Sequence, residues 1–170
     1  MIPIDLSGRT AVVTGGGQGI GRVICQVLNK AGANVVVNYL DDSQEVNCNL
    51  AEELALELGN NTIAMAGDVR DSQQVTNMLE RTIEYFGSLD IVINNAAALS
   101  HRSIGKMSDD AWNLVIDTNL TGAFNVCKHC VNRLAEGGRI VNLSSISGSI
   151  GLWGTSNYAA SKAGVEGLTR

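Results

Sequence analysis

The hydrophobic positions of this 170-residue chain alternate between two spacings. Short runs of consecutive apolar residues, such as 9–14 (RTAVVT) and 34–39 (NVVVNY), predict strands that are buried on both faces. Between them, 20–30 repeats its apolar residues at a period of about 3.6, which predicts a helix that ends near Gly32. The same strand–helix unit recurs along the chain.

The remaining elements follow from the same two spacings. Strands are predicted at 62–66, 89–94 and 138–144, and helices at 43–58, 72–86, 109–135 and from Thr155 or Ser156 onward, with Ser108 or Asp109 as the N-cap of the long helix. Strands that alternate with helices pair in parallel through right-handed crossovers. The predicted fold is therefore α/β, a doubly wound, Rossmann-type parallel sheet with at least five strands.

The C-terminal end of the chain falls inside a helical pattern. Arg170 is not followed by Gly, Asn or Pro, the residues that usually stop a helix. In a doubly wound fold this helix would lead into a sixth strand. We therefore expect the C-terminal strands to be missing, with residues 1–170 forming a single domain that is incomplete at this end.

Composition and charge narrow the possible partners. The chain is 45% hydrophobic and 17% charged, has a formal net charge of -5, and contains no run of Lys and Arg. A nucleic acid or an anionic membrane surface requires a basic face, so neither is predicted as a partner. The sequence has no secretory signal and no apolar stretch near the ~18 residues of a membrane span, which predicts a cytoplasmic protein.

The four cysteines do not predict a disulfide framework or a metal site. They are scattered through predicted helices, and only Cys127 and Cys130 form a C-x-x-C pair. One such pair, without a second pair of ligands, cannot complete a tetrahedral zinc site. We predict no metal and interpret these cysteines as small buried helix residues.

A glycine-rich turn, 14–21 (TGGGQGIG), joins the first predicted strand to the first helix. Glycines allow the backbone to approach a pyrophosphate, and the start of a helix offers N–H groups and a partial positive charge. The spacing departs from G-x-G-x-x-G, and no G-K-[ST] follows that would indicate a Walker loop. The position of the turn between strand and helix predicts a dinucleotide-binding domain.

Three residues near the C-terminus suggest proton-transfer chemistry. Tyr158 and Lys162 are four residues apart, so a helix would place them on one face. A phenol titrates near ~10, and a neighbouring ammonium lowers that pKa toward neutrality. Alone, such a pair usually lies on an ordinary helix surface. Ser145, however, follows the fifth strand, and doubly wound sheets bind ligands at the carboxyl ends of their strands.

Five motifs together resemble the short-chain dehydrogenase/reductase family. They are Thr14-Gly-x-x-x-Gly19-Ile20-Gly21, Asn94-Asn95-Ala96, Asn119, Ser145 and Tyr158-x-x-x-Lys162, and they occur in the family's order and approximate spacing over the whole chain. The stretches 107–112 and 117–122 are most similar to 3-oxoacyl-(acyl carrier protein) reductases and to their sugar and alcohol dehydrogenase relatives. The family usually has glycine where this chain has Ala97.

The resemblance implies a cofactor site and a homo-oligomer. The pyrophosphate side of the cofactor would be held by Gly15, Gly17, Gln18, Gly19, Ile20 and Gly21. Asp68 would bind the adenine amino group beside the Val69 backbone, while Asn95 and Ala96 would pass close to the ribose. Family members pair the helices that correspond to 109–135 and to the helix from Thr155, which implies a dimer or a homotetramer.

The resemblance also assigns catalytic roles. Tyr158 would protonate the carbonyl oxygen as hydride arrives, and Ser145 would donate a hydrogen bond to that oxygen. Lys162 would lower the pKa of Tyr158 and bind the nicotinamide ribose. Asn119 would hold a water that links Lys162 to solvent. His101 is interpreted as part of a solvated loop with Arg102, Trp112 as a packing residue, and Trp153 as a packing or pocket residue.

The choice of cofactor depends on the end of the second strand. An acid there would bind the ribose 2′-hydroxyl of NAD, but this position is Tyr39, preceded by Asn38. That favours NADP. No Arg or Lys stands at position 18 or just after 39 to meet a 2′-phosphate, and Asp41 and Asp42 follow, so NAD also stays open.

Three functions remain after these steps. The first is hydride transfer between NADP(H) and a ketone or secondary alcohol, with a small-molecule substrate of the 3-oxoacyl type. The second is an NAD(P)-dependent sugar or alcohol dehydrogenase. The third is a cofactor-binding module without turnover, because the expected substrate loop lies beyond Arg170.

Overall fold

The structure is a computed structural model that describes residues 4–170. Its strands are β1 (Thr10–Val13), β2 (Asn34–Tyr39), β3 (Thr62–Ala66), β4 (Ile91–Asn94) and β5 (Arg139–Asn142). Its α-helices are α1 (Gly19–Lys30), α2 (Val46–Leu58), α3 (Ser72–Phe86), α4 (Asp109–Ile116), α5 (Gly122–Cys130), α6 (Ser147–Ile150) and α7 (Ser156–Thr169). A 3-10 turn at Ile104–Lys106 precedes α4, and a π-helical turn at Asp117–Thr121 joins α4 to α5.

The five strands form one parallel sheet in the order β3-β2-β1-β4-β5. Val12 in β1 lies opposite Val36 of β2 and Val92 of β4. The predicted doubly wound α/β fold is therefore confirmed. The chain winds outward from β1 to β3 and then returns to β4 on the other side of β1, so a crevice opens where β1 and β4 end.

Each face of the sheet carries its own hydrophobic core. Successive side chains of a strand point to opposite faces, so Val12 packs with Met78 of α3 and Val126 of α5, whereas Val13 packs with Cys25 of α1 on the other face. A fully buried side chain of this size contributes about 1.5–3 kcal/mol. Because both faces are covered at β1, the end of this strand is held firmly beside the glycine turn.

The edge strand β5 departs from the prediction that all strands are buried on both faces. Ile140 packs against the core formed with α3 and α5, but Val141 points the other way and is 47% exposed. On that face α1 and α2 pack mainly on β1, β2 and β3. Ile20 and Val23 of α1 are correspondingly exposed.

The helix predicted over 109–135 is wrong at its C-terminal end. Helix α5 ends at Cys130, whose carbonyl accepts from the N–H of Arg133 as the chain turns. The N–H of Ala135 then donates to the carbonyl of Leu89 at 2.8 Å. That bond aligns the chain for β5, so the apolar residues after α5 belong to a turn instead of a further helical segment.

The helix predicted from residue 43 begins later, at Val46. Glu45 has a left-handed backbone (φ 56°), which interrupts a regular helix. The Asp42 carboxylate caps α2 by accepting from the N–H groups of Val46 at 3.2 Å and Asn47 at 2.8 Å. Of the two N-caps predicted for the long helix, Ser108 and Asp109, the structure shows Ser108, whose hydroxyl accepts from an N–H of α4.

No helix among residues 4–170 has the length and apolar character needed to cross a membrane. The same residues contain no group of three or more His, Cys, Asp or Glu side chains placed to hold a metal ion. Burial raises the pKa of Cys25 and Cys130 to about 12, so these thiols stay protonated and pack as small apolar groups.

Candidate active site

The turn between β1 and α1 is built from glycines because its backbone is packed closely. Gly15 and Gly19 have φ angles of 61° and 54°, in the left-handed region that favours glycine. A Cβ on Gly21 would collide with the carbonyl oxygen of Gly15 and lie 2.6 Å from Asn95 Nδ2. Helix α1 therefore begins at the rim of the crevice, where the first N–H groups of a helix lack intrahelical acceptors.

Thr14 and Asn95 attach this turn to β4. The Thr14 hydroxyl accepts from the N–H groups of Asn95 and Ala96, both at 3.0 Å. Asn95 Nδ2 donates to the carbonyls of Thr14 at 2.9 Å and Gly15 at 3.0 Å. Asn95 was predicted only to lie near the ribose. The structure gives its side chain a further role, since it holds the glycine turn in place.

Asn38 performs a similar task at the end of β2. Its Oδ1 accepts from the N–H of Gly15 at 3.4 Å, and its Nδ2 donates to the carbonyls of Met65 at 3.3 Å and Gly67 at 3.0 Å. The side chain thus joins β2 to the end of β3 and to the glycine turn. Sequence reasoning used Asn38 only for cofactor choice, although an amide inside a buried valine run was a signal of this role.

A cleft of about 180 Å³ opens at the carboxyl ends of β1, β2 and β3. Its lining includes seven predicted cofactor residues: Gly15, Gly17, Gln18, Tyr39, Asp68, Val69 and Ala96. The Tyr39 hydroxyl accepts from the Cys48 thiol at 3.2 Å. This hydrogen bond, together with burial and nearby carboxylates, raises the pKa of Tyr39 to about 12, so the end of β2 presents a neutral ring.

The Asp68 carboxylate in this cleft is bound by Arg70. Arg70 Nη2 lies 2.6 Å from Asp68 Oδ2, Nε lies within hydrogen-bond distance of both carboxylate oxygens, and the backbone N–H of Arg70 donates to Oδ1 at 2.9 Å. The hydrogen bonds from Arg70 hold the pKa of Asp68 below its ordinary value. Sequence reasoning identified Asp68 but missed Arg70, which lines the same cleft.

A second cleft of about 310 Å³ adjoins the first and contains the predicted proton-transfer pair. Four residues line both clefts: Gly15, Gln18, Ala96 and Ala97. The second cleft is also lined by Ile20, Gly21, Asn95, Leu143, Ser144, Tyr158 and Lys162. One crevice therefore runs from Tyr39 and Asp68, past the glycine turn, to Tyr158 and Lys162.

Tyr158 and Lys162 lie one turn apart on α7, as predicted. Lys162 Nζ is 5.6 Å from the centre of the Tyr158 ring and donates to the carbonyl of Leu143 at 2.7 Å. Lys162 is only 4% exposed, and this burial lowers its pKa. The helix is fixed at this point because Asn157 Nδ2 donates to the carbonyl of Ala111 in α4 at 3.0 Å.

Ser145 lies in the loop between β5 and the short helix α6, which the sequence pattern did not predict. Its hydroxyl is 2.8 Å from the hydroxyl of Ser147 and accepts from the Ser147 N–H at 3.3 Å. The preceding residue, Ser144, lines the second cleft and donates to Glu166 Oε1 and to the carbonyl of Lys162. Ser145 thus directly follows a residue that contacts Lys162, but it is not among the residues that line either cleft.

Asn119 lies in the π-helical turn and is 2% exposed. Its Oδ1 accepts from the N–H of Ala98 at 2.7 Å, and its Nδ2 donates to the carbonyl of Ala98 and to the Ser161 hydroxyl. A cavity of about 10 Å³ lies between Asn119 and Lys162. Asn119 therefore ties the loop after β4 to α7 beside the buried lysine.

The structure also describes four other residues that the sequence singled out: Ala97, His101, Arg102 and Trp153. Within residues 4–170, Glu45 is the only non-glycine residue with positive φ, so Ala97 has an ordinary backbone. His101 and Arg102 are exposed, and the Arg102 N–H donates to the carbonyl of Gly154 at 2.9 Å. Trp153 is 85% exposed, so the alternative that it is a core packing residue is wrong.

The residues of the crevice fit a dinucleotide. Two adjoining clefts suit an elongated ligand with two halves, and the wall they share is a glycine turn that side chains would obstruct. One end offers a fixed carboxylate at Asp68, and the other offers the buried ammonium of Lys162 beside the phenol of Tyr158.

Comparisons with known proteins agree with this geometry. The family model described as short chain dehydrogenase matches residues 9–170. A 3-oxoacyl-(acyl-carrier-protein) reductase of Staphylococcus aureus is 38% identical over 164 residues, covering 95% of this chain, and the reductase of that name from Synechocystis is 36% identical over 168 residues, covering 97%. The crystal structure of a short chain dehydrogenase from Mycobacterium avium is 32% identical and superimposes with a TM-score of 0.88 over 96% of this chain.

The relatives are longer than this chain. The chain spans 66% of the length of the Staphylococcus aureus reductase, 67% of the Synechocystis reductase and 61% of the Mycobacterium avium structure. The match nevertheless begins before the glycine turn and runs through the helix that carries Tyr158 and Lys162. The chain therefore belongs to the short-chain dehydrogenase family.

Proposed function

We propose that this chain carries the cofactor site and proton-transfer site of an oxidoreductase that interconverts a ketone and a secondary alcohol with NADP(H). The observation that carries the proposal is the single crevice that joins the glycine turn to Tyr158 and Lys162. A 3-oxoacyl thioester is the proposed substrate class, supported by the names of the two reductases. A sugar or simple alcohol substrate is the alternative within the same chemistry.

The protein's part in this reaction is to position the reactants and move a proton. The cofactor supplies the hydride. The Tyr158 hydroxyl donates its proton to the substrate carbonyl oxygen, or removes the proton of an alcohol in the reverse direction. The Lys162 ammonium, 5.6 Å from the Tyr158 ring centre, favours the phenolate that is left after donation.

Two further residues support the proton transfer in this proposal. The Ser145 hydroxyl turns from Ser147 to donate a hydrogen bond to the substrate oxygen, which orients the carbonyl. The 10 Å³ cavity between Asn119 and Lys162 is at the lower limit for one water molecule. A water there would return a proton to Lys162 from solvent.

NADP(H) is proposed as the preferred cofactor because the last residue of β2 is Tyr39 and not an acid. Tyr39 lines the cleft at this position, whereas the carboxylates nearest its hydroxyl, Glu52 and Asp41, do not line it, and Asp42 is engaged by the N–H groups that begin α2. A carboxylate that binds the ribose hydroxyls would select NAD, and its negative charge would repel a 2′-phosphate. The neutral Tyr39 ring avoids that repulsion.

The proposal is tested by incubating the purified chain with NADPH and acetoacetyl thioesters and following the loss of NADPH absorbance. Tyr158→Phe should lower kcat/KM by roughly 10²–10⁴-fold, because the proton donor is lost while the ring remains. The control is Tyr85→Phe, which removes an exposed hydroxyl from α3 and should leave the rate unchanged.

Each result of this assay has a distinct meaning. Turnover of secondary alcohols or sugars but not of thioesters would favour the alternative substrate class. Binding of NADPH without turnover of any ketone would favour a cofactor-binding module. An activity that survives Tyr158→Phe would contradict the assigned proton donor.

A further inference from the structure

The end of the crevice at Asp68 contains an ion pair that is more constrained than a surface pair. Asp68 accepts from three N–H groups of a single residue: the backbone N–H, Nε–H and one Nη2–H of Arg70, at distances of 2.6 to 3.0 Å. The planar guanidinium thus spans both carboxylate oxygens, which fixes the rotation of the carboxylate as well as its position.

The backbone that carries this pair is also held on both sides. The Asp68 N–H donates to Gln74 Oε1 at 3.0 Å. On the other side, Asn125 Nδ2 in α5 donates to the carbonyls of Val69 at 3.0 Å and Arg70 at 3.2 Å. The segment between β3 and α3 therefore has little freedom to move, and the Asp68 carboxylate has a defined direction within the cleft.

The hydrogen bonds from Arg70 do not use the full acceptor capacity of this carboxylate. An ionised carboxylate has about four lone-pair positions, and Arg70 supplies three N–H hydrogens to Asp68, of which the Nε–H is shared between the two oxygens. The pKa of Asp68 is held low by these bonds, so it is ionised at neutral pH and acts only as an acceptor. The remaining position suits one N–H donor, such as the exocyclic amino group of a purine.

The charges in the cleft support the same ligand chemistry. Among the residues that line the 180 Å³ cleft, Arg70 is the only cation and Asp68 the only anion, and each neutralises the other. A free anion at this position would select a cationic group. A paired ion that keeps one acceptor suits an uncharged, N–H-bearing heterocycle.

We infer that Arg70 is a positioning residue that locks the Asp68 carboxylate so that its one remaining acceptor reads the exocyclic amino group of the cofactor's adenine. This inference rests on the proposed function, because it requires a nicotinamide dinucleotide in the crevice. It adds a residue that acts through Asp68 and makes the site selective for a 6-amino purine.

The test compares two ligands that differ only at that amino group. Dissociation constants of NADPH and of its hypoxanthine analogue, which has an oxygen in place of the amino group, are measured by nicotinamide fluorescence on the full chain. The wild type should bind the adenine form roughly tenfold more tightly or better, and Asp68→Ala should reduce this preference to near unity. Arg70→Gln should reduce it to about twofold or less, because the carboxylate can then rotate.

Two further variants separate geometry from charge. Arg70→Lys keeps the positive charge but cannot bridge both oxygens, so its preference should resemble that of Arg70→Gln. Arg133→Gln removes a similar ion pair with Glu80 on a distant surface and should retain the wild-type preference. Full recovery of the preference in Arg70→Lys would overturn the assignment of the guanidinium geometry.

A final measurement excludes general damage to the site. Reduced nicotinamide mononucleotide lacks the adenine half, so its affinity should be equal in wild type and Arg70→Gln. A parallel loss of this affinity, an unchanged adenine preference in Arg70→Gln, or a change only in the NADPH-to-NADH ratio would each overturn the inference. Tight binding with an intact preference would leave the proposed function standing, whereas a wild type that binds no dinucleotide would contradict both.

Discussion

Lys162 is a charged side chain in an almost fully buried position. Its surroundings offer the carbonyl of Leu143 and the ring of Tyr158, and the described contacts of its ammonium include no carboxylate. Burial therefore lowers the pKa of Lys162 below its ordinary value of 10.5. A lysine in this condition destabilises the folded chain while it is charged, which is a cost expected at a functional position and not at a structural one.

The linkage between this pKa and folding gives a prediction with a definite sign. Between the lowered pKa and 10.5, the unfolded chain binds more protons at Lys162 than the folded chain does. The free energy of unfolding contributed by this residue therefore rises with pH through that window, by at most about 1.4 kcal/mol per pH unit. In urea denaturation, the free energy of unfolding of the wild type should rise relative to that of Lys162→Met as the pH approaches 10.5.

The same titration series on Lys30→Met, which replaces an exposed lysine at the end of α1, supplies the background slope. A difference between wild type and Lys162→Met that stays constant, or that changes in the opposite direction, would mean that Lys162 is not buried as a charge. The neighbouring phenol would then lack the fixed cation that the proposed proton transfer requires.

A contact between two side chains could be predicted from the sequence only where the two residues are close together along the chain. Tyr158 and Lys162 share a helix face at i and i+4, so their proximity follows from helix geometry alone. The bonds of Asn95 to the glycine turn and of Asn119 to Ala98 depend on how separate elements meet. No sequence spacing encodes those contacts, so the sequence alone predicts only roles toward the cofactor or a water for these two side chains.

At the scale of elements, the strands and the ends of helices were not equally predictable. Runs of β-branched residues placed 34–39 correctly because these residues both favour strands and fill a two-sided core. The end of α5 could not be predicted from the sequence in the same way. The apolar spacing continues past Cys130, and the bond between Ala135 and Leu89 that starts β5 is tertiary.

The packing of α1 against the glycine turn yields a second prediction. Gly21→Ala should destabilise the chain by about 1–3 kcal/mol, because its methyl group would strike the Gly15 carbonyl and Asn95 Nδ2 inside a closely packed turn. It should also weaken dinucleotide binding, since relief of the clash moves the turn. Urea denaturation and nicotinamide fluorescence measure the two effects.

Gly167 in α7 is the matched control, because it is also a helical glycine but a Cβ added to it would meet no neighbouring atom within 4 Å. Gly167→Ala should be neutral or should stabilise the chain by up to about 1 kcal/mol, through the better helix propensity of alanine. Equal effects of the two substitutions would show that helix propensity, and not the contact with the turn, determines the outcome at Gly21.

At the scale of the whole molecule, several large apolar side chains remain exposed, and three of them lie on α4 and α5. Trp112 and Leu114 of α4 and Phe124 of α5 are large apolar side chains that remain exposed along the helical segment 109–130. The resemblance found in the sequence predicts that the helices over 109–135 and from Thr155 pair about a two-fold axis. We therefore propose that the chain self-associates through α4 and α5, and that these side chains lie within the interface.

Phe124→Glu should convert an oligomer of this chain into a monomer. The side chain is 46% exposed, and a carboxylate at its position would lose its hydration inside an interface between two copies. The fold itself should tolerate the change, because Lys128 lies one turn later and already places its ammonium 5.8 Å from the Phe124 ring centre. Sedimentation velocity at a concentration where the wild type is associated measures the effect.

Leu56→Glu changes the net charge by the same amount at a position that is 84% exposed on α2, across the sheet from α5. It should leave the association state unchanged, so a monomer formed only by Phe124→Glu locates the interface on α4 and α5. If both variants sediment like the wild type, α4 and α5 lie outside the interface between copies. If both dissociate, the cause is the added negative charge on a chain whose formal net charge is already -5.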